Sequence, residues 1–152
     1  MGLILNLETA TTNCSVSLAK DGKLLALREN NTPNYSHAEQ LHIFISECMA
    51  EAKIALTELD AVAVSKGPGS YTGLRIGVSA AKGLCFSLDV PLISIATLKS
   101  MASQVKGGYD CIIPVLDARR MEVYSAVFDI DLNQIKDTEA EIIDEHSFTV
   151  YA

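Results

Sequence analysis

The sequence predicts an α/β protein made of one complete lobe and the beginning of a second. Three observations carry that reading. The chain opens on short alternating apolar runs joined by Asp21-Gly22, a strong two-residue hairpin signal. Its middle is a buried-strand run, a glycine-rich loop and a helix, from Leu59 to Leu88. After Gly107-Gly108 the opening pattern restarts, which is a weak internal repeat.

The elements follow in order. Leu3 to Leu7 reads as a strand ending in the acidic turn Glu8-Thr9-Ala10-Thr11-Thr12. Cys14 to Ala19 alternates, with Val16 and Leu18 on one face, and Lys23 to Arg28 is the third strand. Asn30 to Asn34 is loop. Ser36 and Glu39 form a capping box, so a helix is expected from there to about Lys53. Its apolar stripe is Leu41, Phe44, Ile45, Cys48, Met49 and Ala52, while Ile43 and Ala50 lie off the stripe. Ala61 to Val64 is a short buried strand, and a helix is expected over about Leu74 to Leu88. Pro91 introduces a strand at Leu92 to Ile95, and a third helix covers about Leu98 to Val105. The order is β-β-β-α-β-α-β-α over residues 1–106. Residues 107–152 then begin a second lobe with Ile112 to Leu116, the acid Asp117, the turn Ala118-Arg119-Arg120 and the strand Glu122 to Asp129; Ala140 to Ile143 is one more short strand.

The helix at Leu74 to Leu88 is crowded with small residues. Each glycine in a helix interior costs about 1 kcal/mol relative to alanine, so close approach of another backbone is expected there. Leu74, Val78, Ala81, Cys85 and Leu88 form one apolar stripe, and Ile76, Ala80, Gly83 and Ser87 form a second, flatter face. A helix with two packable faces is buried between layers or presents one face to a partner.

Composition bounds the function. With 49% hydrophobic residues in 152, the chain can bury a real core. A net charge of −7 argues against nonspecific nucleic-acid binding, which needs Lys and Arg to neutralise phosphate. Cys14, Cys48, Cys85 and Cys111 are widely spaced and read as buried thiols in a reducing compartment. The N-terminus lacks the basic flank and long apolar run of a signal peptide, and no apolar stretch is long enough for a membrane span. Met1-Gly2 has Asn6 where a myristoylation site needs Ser or Thr. A cytoplasmic protein with no membrane partner is expected.

The loop Gly67, Gly69, Ser70, Thr72 and Gly73 stands between a strand and a helix N-terminus, where amide groups converge and an anion is favoured. It is equally the tight turn any such junction requires. It is not a P-loop, because no Gly-Lys-Ser/Thr closes it. It is not a dinucleotide fingerprint, because Thr72 holds the third glycine's place and Gly73 comes one residue late. Glu8 and Asp117, each at a strand end, are candidates to hold a metal or nucleotide between two lobes, or simple turn acids accepting backbone N–H bonds. His37 and His42 are not at a helical metal-pair spacing, and His146 is isolated. From the residues alone there is an anion-friendly loop, a helix pair with spare apolar surface, and no catalytic set.

Several runs resemble one family. Leu7-Glu8-Thr9-Ala10-Thr11, Cys14 to Leu18, Ser36-His37-Ala38-Glu39-Gln40-Leu41 and above all Lys66-Gly67-Pro68-Gly69-Ser70-Tyr71-Thr72-Gly73-Leu74-Arg75-Ile76-Gly77 resemble the TsaB family, bacterial partner proteins in the synthesis of threonylcarbamoyladenosine on tRNA. The resemblance runs from the N-terminus to about Asp129. It implies an actin-like ATPase fold of two ribonuclease H-like lobes, here with the second incomplete. It implies a paralogue, TsaD, that carries the chemistry through a His-x-x-x-His metal motif. Those places are Thr97 and Met101 here, neither of them a catalytic metal ligand. The implied role is a non-catalytic scaffold that pairs with TsaD through the first two helices. A contact at Leu41, Ile45, Cys48, Leu74, Gly77, Val78, Ala81 and Cys85 is expected, and a homodimer through the same surface when the chain is alone. ATP, metal and the small ATPase TsaE belong to the wider complex, and tRNA is met only through it. Glu8-Thr9-Ala10-Thr11 replaces the superfamily's Asp-x-Gly-Thr phosphate loop, so no cofactor is expected in this chain. The competing expectation is an enzyme, either a nucleotide hydrolase using the glycine-rich loop and Glu8 or a glycoprotease-like metallopeptidase. A free-standing regulatory homodimer is a third.

Overall fold

A computed structural model describes residues 2–31 and 37–151. The capping box at Ser36 lies outside the described residues. The chain divides into two compact units, Met1–Ile95 and Ala96–Ala152.

In the first unit, strict alternation sends Leu3, Leu5 and Leu7 of β1 (Leu3–Glu8) and Cys14, Val16 and Leu18 of β2 (Asn13–Lys20) to one face of a sheet. Asp21 and Gly22 turn the chain with both residues at positive φ, as a two-residue hairpin requires, into β3 (Lys23–Asn31). β4 (Ala61–Ser65) is buried at every position, and β5 (Leu92–Ile95) ends the sheet. The five strands lie in the order β3-β2-β1-β4-β5. β1, β2 and β3 pair antiparallel, whereas β1 with β4 and β4 with β5 pair parallel. This mixed sheet, with its two parallel strands added beside β1, is the expected ribonuclease H-like arrangement.

Two helices cover the Leu3-Leu5-Leu7 face. α1 (His37–Ala52) turns Leu41, Ile45, Cys48 and Met49 inward, and α2 (Tyr71–Leu88) turns Gly73, Gly77 and Ala81 inward. Burying a leucine as completely as Leu5, Leu18 and Leu41 contributes about 1.5–3 kcal/mol each. α2 begins three residues earlier than its apolar stripe suggests. The Ser70 hydroxyl accepts the Gly73 N–H at 3.3 Å and caps the helix there, so Thr72 and Gly73 belong to its first turn rather than to a loop.

The second unit holds α3 (Thr97–Ala102), β6 (Val115–Arg119), β7 (Glu122–Phe128) and β8 (Gln134–Ile142), the strands forming an antiparallel sheet in that order. The boundary therefore falls before α3, not at Gly107-Gly108, because Leu98 and Ala102 form one core with Ala126 and Phe128. β6 also starts later than its apolar run. Ile112 exchanges both backbone bonds with Phe128, but in that register Pro114 would face Ala126 in a hydrogen-bonded pair and has no N–H to donate. β8 is longer than Ala140 to Ile143, because its polar N-terminal half lies at the sheet edge, where side chains need no apolar period. The turn from β6 to β7 places Arg119, Arg120 and Met121 at φ 69°, 55° and 65°. That conformation costs a residue with a Cβ about 1–2 kcal/mol.

Lys136 lies within 3.3 Å of Glu141 on β8, and the Ser125 hydroxyl of β7 donates to the same carboxylate. These partners, the serine first, hold the Glu141 carboxyl below its ordinary range. A depressed carboxylate stabilises the fold above its unfolded-state pKa and loses that contribution as pH falls through the folded value. Amide exchange in β7 and β8 is therefore expected to accelerate as pH falls below about 4.5, after correction for the intrinsic rate. Glu141→Gln is expected to flatten that acid dependence, and an unchanged profile in the variant would refute the assignment.

Candidate functional site

The candidate surface lies along α2, and glycine decides how closely each side of that helix can be approached. Gly73 and Gly77 lie against the turn after β1. A Cβ on Gly73 would stand 2.1 Å from the Thr9 carbonyl oxygen, and one on Gly77 would stand 2.2 Å from the Thr9 hydroxyl. The Thr9 hydroxyl donates to the Gly73 carbonyl at 2.8 Å in a fully buried position. Both glycines are thus required by the fold itself. Gly83 is different. It is exposed, sits in the helix interior, and a Cβ there would meet nothing within 4 Å.

Gly83 belongs to the wall of a shallow groove of about 780 Å³ between α1 and α2. Ala38 and His42 line it from α1, and Tyr71, Thr72, Arg75, Ile76, Ser79, Ala80, Gly83, Leu84 and Ser87 line it from α2. Phe86 stands near it with 91% of its surface exposed, and Tyr71 is 74% exposed. The Arg75 guanidinium lies 5.3 Å from the centre of the Tyr71 ring and donates to its hydroxyl at 3.1 Å. The two helices have opposite charge. α1 carries Glu39, Glu47 and Glu51 with no Lys or Arg, and α2 carries Arg75 and Lys82 with no acid.

The expected contact residues fall mostly elsewhere. Leu41, Ile45, Cys48, Gly77 and Ala81 are buried in the chain's own core, and Leu74, Val78 and Cys85 are half-buried. The five buried ones face the chain's own core. The flatter face of Ile76, Ala80, Gly83 and Ser87 is the one that lines the groove. The period of the sequence distinguishes the two faces but does not say which one meets the sheet.

The glycine-rich loop is closed onto its neighbour. The Ser70 N–H donates to the Ala10 carbonyl at 2.6 Å, the Gly73 N–H is taken by Ser70, and a Cβ on Gly69 would lie 2.5 Å from the Ala10 carbonyl oxygen. Gly67 and Thr72 complete the loop and first turn. The Glu8 carboxylate accepts the Ala10 N–H at 2.6 Å and the Ser65 hydroxyl. Asp117 accepts the Arg119 N–H at 2.7 Å. Each acid thus holds its own turn. Among the described residues no three His, Cys, Asp or Glu side chains converge as a metal site. Thr97 is buried at the start of α3 and Met101 is half-buried within it. Burial pushes the Cys14 and Cys48 thiols up, away from the thiolate form a nucleophile needs. No helix among the described residues is long and apolar enough to cross a membrane.

Residues 32–150 match the family model described as TsaD, tRNA N6-adenosine threonylcarbamoyltransferase. The chain belongs to the TsaD family. Within that family it is similar to proteins named for tRNA threonylcarbamoyladenosine biosynthesis, TsaB. The TsaB of Escherichia coli K12 is 37% identical over 142 residues, covering 90% of this chain and 61% of that protein. The TsaB of Bacillus subtilis 168 is 32% identical over 130 residues, covering 82% of this chain and 54% of that protein. The chain thus spans between half and two thirds of the length of these TsaB relatives. Among solved structures, YeaZ from Pseudomonas aeruginosa superposes with a TM-score of 0.83 at 27% identity, covering 95% of this chain and 70% of that one. The TsaB resemblance read from the Lys66 to Gly77 run and the α/β fold read from the strand order are thereby established.

Proposed function

We propose that this chain is a non-catalytic subunit of the machinery that makes threonylcarbamoyladenosine on tRNA, and that it docks the catalytic paralogue TsaD in the groove between α1 and α2. The observation that carries the reading is Gly83. A solvent-facing glycine inside a helix costs about 1 kcal/mol relative to alanine, and nothing in this chain needs its missing Cβ. A helix from another protein packed closely against Ser79, Ala80 and Gly83 does need it. Phe86 supplies an apolar knob for such a partner. A partner of the same fold brings its own helix pair, and Arg75 is the cation that the groove offers it, whereas Glu47 and Glu51 of α1 are already paired with Arg28. Two-fold pairing of the same helix surface gives a homodimer when TsaD is absent. TsaE and tRNA then join through the assembled complex, in the cytoplasm.

The chain holds neither nucleotide nor metal in this reading; ATP and metal belong to the partner complex. Glu8 places a carboxylate among the turn amides, where an incoming phosphate would be repelled.

Mixing the full chain with its cognate TsaD and weighing the eluate of a sizing column by light scattering tests the proposal. A 1:1 heterodimer that replaces a homodimer is the expected result. A homodimer that persists unchanged in the presence of TsaD would overturn it.

A further inference from the structure

The turn between β6 and β7 presents two cations that no ion pair among the described residues engages. A two-residue hairpin with both central positions at positive φ is ordinarily built from Asn and Gly. This one is built from Arg120 and Met121, and Arg119 before them is left-handed as well. The Asp117 carboxylate accepts the Arg119 N–H and so fixes the backbone of the turn rather than neutralising a guanidinium. Among the described residues the ion pairs engage Arg28, Lys136 and His146; neither Arg119 nor Arg120 takes part in one. Both arginines are exposed, and Met121 beside them is 71% exposed.

The turn is therefore strained and pinned, and no ion pair among the described residues engages its guanidiniums. Guanidinium forks on adjacent residues match the oxygens of phosphate groups. An exposed thioether next to them offers apolar contact to a base or ribose. An acidic protein surface would be served as well by flexible lysines on an unstrained turn. We propose that the Arg119-Arg120 turn is a contact point for the phosphate backbone of RNA. This rests on the tRNA-modification reading above. A net charge of −7 opposes a broad nucleic-acid-binding face, so the turn acts as a local anchor on RNA that the complex already holds.

The test is a fluorescence-anisotropy titration of an unmodified tRNA transcript, run with the full chain in complex with TsaD and with the full chain alone, between about 50 and 200 mM salt. Light scattering on the same samples reads assembly separately, so a chain that fails to meet TsaD counts against the functional reading and not against the turn. Replacing both arginines (Arg119→Ala with Arg120→Ala) is expected to weaken binding about tenfold and to lower the salt slope by about 1 per arginine, with assembly unchanged. The Lys pair (Arg119→Lys with Arg120→Lys) is expected to keep most of the slope. A third variant, Arg120→Asn with Met121→Gly, relaxes the turn, and is expected to melt higher while binding RNA less tightly. Unchanged affinity and slope in the alanine pair would overturn the proposal. Loss of binding to ATP alone, or to TsaD alone, with tRNA affinity intact would overturn it too, and reassign the turn to a nucleotide or to a protein contact.

Discussion

Gly73→Ala is expected to be the most damaging single methyl in this protein. The added Cβ would stand 2.1 Å from the Thr9 carbonyl oxygen and 3.1 Å from the His37 ring. Its main obstacle is backbone at the end of β1, which no rotamer change can move. Overpacking of this kind costs about 3 kcal/mol or more, a large part of the 5–15 kcal/mol that holds a domain together. At this chain length that is a fall of about 10 °C in Tm. Gly77→Ala meets a side chain instead, the Thr9 hydroxyl at 2.2 Å. Removing that hydroxyl with Thr9→Ala is therefore expected to recover part of the stability of Gly77→Ala, and to recover none of Gly73→Ala. Thermal or denaturant melts of the three single variants and the two double variants form the double-mutant comparison. If Gly73→Ala melts within a degree of the parent, α2 does not sit on the Thr9 turn as described.

Gly83→Trp is expected to do the reverse. It lies in open space, so the isolated chain keeps its fold, whereas a bulky ring in the groove wall blocks close packing of a partner helix. Sizing with light scattering is expected to show no complex with TsaD at micromolar concentration. Gly83→Ala separates the two roles further. Helix propensity alone raises the stability of the chain by up to about 1 kcal/mol, while the added methyl weakens the complex. A Gly83→Trp chain that still binds TsaD as tightly as the parent would remove the groove from consideration as the dock. Such a result would leave the Thr9 clashes at Gly73 and Gly77 untouched, because those belong to the fold.

Much of the architecture is legible in the sequence because local chemistry dictates it. Alternation at Leu3-Leu5-Leu7 and at Cys14-Val16-Leu18 marks half-buried strands, and Asp21-Gly22 supplies the positive φ that a tight hairpin needs. In the long Lys66 to Gly77 run, Gly69, Gly73 and Gly77 answer to particular atoms of Ala10 and Thr9. Pro114 also acts locally, by withholding one N–H from the ladder. The polar start of β8 escapes notice for the opposite reason, since an edge strand facing water carries no period.

The tertiary structure alone decides which face of α2 is core. Leu74, Val78 and Ala81 on one side, and Ile76, Ala80 and Gly83 on the other, are equally acceptable stripes on a helical wheel. Only the sheet beneath, with Thr9 pressed against Gly73 and Gly77, selects the line Gly73-Gly77-Ala81 for burial, half-covers both stripes, and leaves Ile76, Ala80 and Gly83 to line the groove. The same holds for the three glycines. Sequence assigns each the same helical cost, but the space around the missing Cβ differs completely between Gly77 and Gly83. It holds for α3 as well, which precedes the Gly107-Gly108 break yet packs with β7, because Leu98 finds its core partners at Ala126 and Phe128. The sequence by itself determined the elements, the strand order's beginnings and the family. Packing across distant segments determined which surfaces remain for function, because burial depends on what arrives from elsewhere in the chain.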